Sequence, residues 1–259
     1  MQCNAYDLEH KVAIVTGASR GIGFATAELL LARGANVVIS GRKQEALDSC
    51  LDRLSAYGKE RVRAVMAHGG DENGIQRLVG TASDTFGHID ILVNNAATSA
   101  HYGKIMDAEI SAWDKTFNVN VRGVFLLTKA VLKAGMEKTG GSIVNVVSVG
   151  GIMPVEGLSI YNVTKAALIH FTKQLALEIG PQGIRVNAVA PGLIKTKFAE
   201  VLWSNDESRD AYESSNPLRR IGEPQEIAEA IAFLSSPAAS YVNGQVLTVD
   251  GGGGFLKGS

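Results

Sequence analysis

An apolar run, Val12-Ala-Ile-Val15, passes directly into Thr16-Gly17-Ala18-Ser19-Arg20-Gly21-Ile22-Gly23. A helical pattern follows, with Ala25, Leu29, Leu30 and Ala32, and it stops at Gly34 before a second apolar run, Val37-Val-Ile-Ser40. Strand, glycine-rich turn, helix and strand make one βαβ unit, whose right-handed crossover leaves the two strands parallel. Glycines in that turn let the backbone bend sharply and approach a pyrophosphate, and the N–H groups opening the next helix bind an anion. The spacing is Gly-x-x-x-Gly-x-Gly rather than the commoner Gly-x-Gly-x-x-Gly.

The same alternation continues to the end of the chain. Residues 44–57 read as helix, 63–67 as strand, 75–86 as helix ended by Gly87, and 90–93 as a fourth strand running into Asn94-Asn95-Ala96-Ala97. A long helical pattern covers 110–135, with Trp113, Phe117, Val121, Val124, Phe125 and Leu132. Strands are expected at 143–147, 185–189 and 245–250, and helices at 159–179 and 224–234. No linker and no repeat interrupts the series. The expectation is an α/β protein: one Rossmann-like domain over 1–259, a doubly wound parallel sheet of seven strands with helices on both faces. Residues 1–7 read as a mobile leader. Residues 193–216 read as a substrate loop, polar from Phe198 to Asn216 with Leu202, Trp203 and Tyr212 scattered through it.

Composition narrows the function. A formal net charge of −1 offers no basic field for nucleic acid or anionic lipid. No uninterrupted apolar run of about 18 residues suggests a membrane span. The first ten residues lack the order of a secretory signal, and Phe255-Leu-Lys-Gly-Ser259 is not a Ser-Lys-Leu type address. Cys3 and Cys50 read as free thiols in a reducing cytoplasm. His10, His68, His88, His101 and His170 are scattered without ligand spacing, so no metal is expected.

Chemistry concentrates at 148–165. Ser159 is a candidate N-cap, and Gly180-Pro181 stops the helix that follows. Tyr161 and Lys165 stand at i and i+4, so they share a face. An ammonium beside a phenol favours the phenolate and lowers the tyrosine pKa from about 10, toward a group able to pass a proton. Ser148 ends the apolar run 142–147, where its hydroxyl can face the start of that helix. Ser, Tyr and Lys then converge on one carbonyl or alcohol oxygen. Asn120, amid bulky apolar neighbours, is either a packing bond or a positioned catalytic amide. On the sequence alone packing is favoured, because a buried amide must be bonded to something.

The second strand separates NAD from NADP. An acid at its end would hydrogen-bond a ribose 2′-hydroxyl and repel a 2′-phosphate. Here the chain reads Ser40-Gly41-Arg42-Lys43, and Arg20 offers a second cation, so NADPH/NADP⁺ is the expected cofactor. Ala96 and its small neighbours leave room for a flat ligand.

Taken in order, the glycine turn 16–23, Asn94-Asn-Ala-Ala97, Asn120, Ser148, Tyr161-x-x-x-Lys165 and Pro191-Gly192 resemble the short-chain dehydrogenase/reductase family over about residues 8–254. The resemblance implies Tyr161 as general acid/base and Lys165 as the residue that lowers its pKa and holds the nicotinamide ribose. It implies that Ser148 binds the substrate oxygen and that Asn120 supports a water linking Lys165 to solvent. Gly17, Ser19, Arg20, Gly21, Ile22 and Gly23 match the phosphate side of the cofactor, with Arg42 at the 2′-phosphate. Asn94 matches the cofactor channel, Ile194 and Thr196 the segment that grips the carboxamide, and Ala96, Pro191 and Gly192 are further cofactor-binding positions. Two positions depart from the pattern: His68-Gly69 stands where an Asp-Val pair often contacts adenine, and Ala97 replaces a glycine.

The implied reaction moves a hydride between NADPH and a ketone or aldehyde, and carbonyl reductases of the dicarbonyl- and retinal-reducing kind look similar. A second reading is a 3-oxoacyl-(acyl-carrier-protein) reductase, with Lys129, Lys133 and Lys138 as a landing patch near the mouth. A third is a non-catalytic module that senses NADP. His101 and Tyr102 fall near the expected mouth. Apolar stripes on the helices at 110–135 and 159–179 predict pairing across a two-fold axis, and the glycine-rich C-terminus a second axis, giving a homotetramer.

Overall fold

The computed structural model describes residues 5–253. Among them one parallel sheet carries the strands β1 (Val12–Val15), β2 (Asn36–Gly41), β3 (Val62–Met66), β4 (Ile91–Asn94), β5 (Gly141–Val146), β6 (Ile184–Pro191) and β7 (Val246–Val249). Its order is β3-β2-β1-β4-β5-β6-β7, so the winding reverses between β1 and β4. Loops leaving the two strands at such a reversal diverge, and ligands bind in the crevice outside the strands' C-terminal ends.

Helices cover both faces, which is why the strands are continuous apolar runs. Alternate strand residues serve opposite layers. Val15, Val37, Ile39 and Val144 pack with α1 (Gly21–Ala32), α2 (Gln44–Leu54) and α10 (Pro224–Ser235), through Leu30, Leu47, Leu54, Ile227 and Ile231. Ile14, Val38, Leu92, Ile143 and Val186 pack with α3 (Glu72–Phe86), α5 (Gly123–Val131) and α7 (Ser159–Ile179), through Ile75, Leu78, Leu127, Val131 and Ile179.

Several elements differ from their sequence reading. The pattern over 110–135 is not one regular helix. Between α4 (Ile110–Phe117) and α5 lies a wider π-type turn, Asn118–Arg122. A second, Leu132–Met136, contains Gly135 at φ 130° and leads into α6 (Glu137–Thr139). The stretch read as a substrate loop holds α8 (Glu200–Trp203) and α9 (Asp206–Ser215). The Asn205 side chain caps α9, accepting from the Glu207 and Ser208 amides. Ser159 is not the cap of α7: Leu158 is, and the Ser159 hydroxyl is buried inside the first turn without a partner.

Of the expected leader, residues 1–4 lie outside the described residues, as do Cys3 and Gly254, while the Ala5 carbonyl accepts a bond from the Ala238 amide. Cys50 is a buried free thiol whose Sγ donates to the Ser19 carbonyl. Among the described residues no helix is long and apolar enough to cross a membrane. Nor do three His, Cys, Asp or Glu side chains among them gather in a way that could hold a metal ion.

Candidate active site

The glycine turn lies at the reversal of the sheet. Gly17 and Gly21 hold φ of 63° and 57°, a region that side chains with a Cβ disfavour. A Cβ on Gly23 would stand 2.5 Å from the Asn95 Nδ2 and 2.7 Å from the Gly17 carbonyl oxygen, so the turn and α1 pack at backbone contact. Asn95 fixes the turn from below, its Nδ2 donating to the Thr16 and Gly17 carbonyls at 2.7 and 3.2 Å. Thr16 Oγ1 in turn accepts from the amides of Asn95 and Ala96.

α1 opens with no side-chain cap and no acid in its first turn, leaving its first N–H groups to an anion. Arg20 and Arg42 are exposed, and β2 is followed directly by Arg42-Lys43 rather than an acid. A Cβ on Gly41 would meet the Ser19 Cβ at 3.4 Å, which places the serine of the turn against the end of β2. These features fit a dinucleotide: a bare helix N-terminus for the pyrophosphate, backbone bared by glycine, and cations rather than a carboxylate at the ribose position. Thr196 arches over from beyond β6, its Cγ2 3.2 Å from where a Gly21 Cβ would be. Its carbonyl accepts from the Trp203 indole, and the Tyr212 hydroxyl receives the Leu193 amide at 3.2 Å. Pro191 ends β6, and Ile194 is buried and bridged to Gly222. At Gly192 a Cβ would stand 2.9 Å from the Asp250 Cα, so only glycine lets the chain turn there.

Asn94 is buried and joins β4 to β5, its Nδ2 donating to the Asn145 Oδ1 at 2.9 Å. With Ala96, His68 and Gly69 it also lines a small cavity beside the turn. His68 Nδ1 accepts from the Gly70 amide at 3.1 Å, which orders the segment that departs from the family pattern.

Tyr161 and Lys165 come together on the buried face of α7, with Ser148 at the end of β5. The Ser148 hydroxyl accepts from the Gly150 amide at 3.1 Å and stands near the Tyr161 phenol, whose pKa it lowers. The Phe198 ring closes the other side, 5.5 Å centroid to centroid. Lys165 Nζ donates to the Val146 carbonyl at 2.7 Å and lies 5.3 Å from the Tyr161 ring centroid.

The electrostatics overturn one expectation. Burial pushes the Tyr161 phenol above its ordinary value, and the nearby Ser148 hydroxyl only partly opposes this. Burial also pulls the Lys165 pKa down, to about 7. In the absence of cofactor, desolvation exceeds the attraction that the spacing suggested.

Asn120 lies in the π-type turn. Its Nδ2 donates to the Thr98 carbonyl at 2.9 Å and to the Thr164 hydroxyl at 3.0 Å, and its Oδ1 accepts from the Thr98 amide at 2.8 Å. The amide therefore ties the loop after β4 to α7, three residues past Tyr161. Thr98, Thr164 and Phe198 carry no sequence signal that would have singled them out. Asn162 was legible only as the neighbour of Tyr161. Lys138 lies on α6, immediately before the N-terminal end of β5, at the opposite edge of the sheet from Ser148. Lys138 is thus away from the mouth.

The family description "Enoyl-(Acyl carrier protein) reductase" matches residues 17–253. The human "Dehydrogenase/reductase SDR family member 4" is 44% identical over 245 residues, covering 95% of this chain and 88% of that protein. The chain belongs to the short-chain dehydrogenase/reductase family. The "3-oxoacyl-(acyl-carrier-protein) reductase" of Vibrio cholerae is 42% identical over 246 residues, 95% of this chain and 98% of the relative. Among solved structures, "Levodione Reductase" superposes with a TM-score of 0.91 at 34% identity, covering 96% and 99% of the two chains. A short-chain dehydrogenase/reductase from Brucella melitensis, described as a glucose/ribitol dehydrogenase, gives 0.88 at 36% identity over 95% and 97%. Membership makes the chain an oxidoreductase of the family that uses nicotinamide cofactors.

Proposed function

We propose that the protein is an NADPH-dependent carbonyl reductase, with Tyr161 as general acid/base, Ser148 as the substrate-oxygen donor, and Lys165 and Asn120 as their supports. The observation that carries this reading is the buried Tyr161 phenol with Ser148 near it and the Lys165 Nζ 5.3 Å from its ring centroid. A phenol held protonated is a proton donor, which suits reduction: the substrate oxygen takes the Tyr161 proton as negative charge develops on it. Ser148 supplies a second hydrogen bond to the same oxygen. Bound along the β1–β4 crevice, NADPH would supply the hydride that reaches the carbonyl carbon.

NADP preference is supported by the exposed Arg20 and Arg42 and by the lack of an acid after β2. Gly17, Ser19, Gly21, Ile22 and Gly23 are the candidates for the phosphates. Asn94, Ala96, Pro191, Gly192, Ile194 and Thr196 are the candidates for the nicotinamide half. The test is NADPH oxidation, followed by absorbance, against a panel of ketones, dicarbonyls and 3-oxoacyl thioesters. Turnover of ketones or dicarbonyls supports the reading. Turnover confined to carrier-bound thioesters makes the protein a 3-oxoacyl reductase instead, and cofactor binding with no turnover makes it an NADP-binding module.

Ile110 on α4, Phe125 on α5 and Leu177 on α7 are exposed, as are Tyr241 and Leu247 beside the β7 edge. Exposed apolar side chains on α4, α5 and α7 and at the β7 edge support a homotetramer with two kinds of two-fold contact. A monomer in sedimentation at micromolar protein overturns this assembly.

A further inference from the structure

Two loops meet next to α7: residues 97–104 after β4 and residues 149–158 after β5. Each is tied at its base by one asparagine. Asn120 holds the first through both backbone groups of Thr98. Asn162, next to Tyr161 on α7, holds the second: its Nδ2 donates to the Val155 carbonyl at 2.8 Å. The Asn162 side chain is buried, and its Oδ1 has no partner.

That oxygen lies against the turn after Ser148. A Cβ on Gly150 would stand 2.2 Å from it, so glycine at 150 is the condition for an amide at 162. The Gly150 amide in turn donates to the Ser148 hydroxyl. Beyond Val155 the two loops join each other. The Gly103 amide donates to the Gly157 carbonyl at 2.9 Å, and Gly103 bridges Leu158 in parallel. The Tyr102 ring lies over Gly157, which holds φ 81°; a Cβ there would come within 2.5 Å of the ring carbon Cζ. His101 Nε2 donates to the Lys104 carbonyl at 2.9 Å and stiffens the tip.

We infer that Asn162 is a positioning residue that sets substrate selectivity, because it fixes both mouth loops to the catalytic helix as one wall. Cutting the Asn162–Val155 bond frees the second loop, and through the Gly103–Gly157 pairing it frees the first. The proton-transfer groups stay in place, held by β5 and the body of α7. This inference rests on the carbonyl-reductase reading only for its kinetic readout.

The test uses Asn162→Ala and, as a surface variant that leaves the buried packing intact, Tyr102→Ala. Hydrogen exchange of the full-length protein is measured first. Both variants should speed exchange over both 99–104 and 153–158, with exchange in β5 and the body of α7 unchanged. Exchange that rises in one loop only, or in neither, overturns the inference whether or not any carbonyl is turned over. On a graded series of ketones, Asn162→Ala should raise KM about tenfold for the bulkiest while kcat and the NADPH affinity change by less than about threefold. A fall in kcat at unchanged KM, equal for all ketones, also overturns it. Failure of the wild type to reduce any carbonyl counts against the proposed function and leaves the exchange result to decide the wall.

Discussion

The Lys165 ammonium is bound to the Val146 carbonyl at 2.7 Å and stands 5.3 Å from the centroid of the Tyr161 ring. Sheet and helix thus share the cation before any cofactor arrives. Burial costs the charged form, and the lysine's pKa falls to about 7.

That shift has a pH signature in the cofactor-free protein. An unfolded lysine keeps its proton to about pH 10.4. Between about pH 7 and that value the unfolded state binds more protons than the folded one, so this residue makes stability rise with pH. Below about 7 both states are protonated and its slope vanishes. Lys165→Met should flatten the rise in Tm between neutral and alkaline pH relative to wild type. Thermal unfolding of both proteins across that range checks it, and parallel curves contradict the shift.

Cofactor choice follows from the end of β2. Arg42→Asp places a carboxylate where the 2′-phosphate is proposed to sit, and it should shift preference toward NADH by about tenfold or more. Steady-state kinetics with both cofactors measure this. A wild type that already uses NADH as well as NADPH contradicts the Arg20/Arg42 argument.

Much of this architecture is written in the chain because both faces of the sheet are covered. Strands such as Val37–Ser40 then appear as unbroken apolar runs, and glycines mark the ends of helices between them. Tyr161 and Lys165 were legible because four residues on a helix fix a shared face. The π-type turn at Asn118–Arg122 was not, since one widened turn barely disturbs a 3.6-residue period. Nor were α8 and α9: their sequence is polar, and they depend on the Asn205 cap and on Tyr212 holding Leu193 and Asn216. The direction of the Tyr161 pKa was misjudged for a related reason. Spacing reveals which charge is near, while burial, which dominates here, emerges only when Phe198 and the sheet close around the ring.

The π-type turn also creates a contact that a glycine must fill. A Cβ on Gly123 would lie 1.8 Å from the Gly69 carbonyl oxygen. Gly123→Ala forces two backbones apart and should destabilise the protein by about 3 kcal/mol or more. Gly80, inside α3, has nothing nearer than the Asp84 Oδ2 at 4.0 Å. Gly80→Ala should be neutral or stabilising by up to about 1 kcal/mol. Denaturant unfolding of the pair tests the packing, and equal effects would contradict it.

The central claim is that Tyr161 passes the proton. Tyr161→Phe keeps the ring against Phe198 and removes only the hydroxyl near Ser148. The decisive measurement titrates NADPH into this variant and follows turnover in parallel. The account predicts cofactor affinity close to wild type and turnover lower by about 10²–10⁴-fold. Turnover within a factor of a few of wild type would mean that another group delivers the proton, and the site assignment would be wrong.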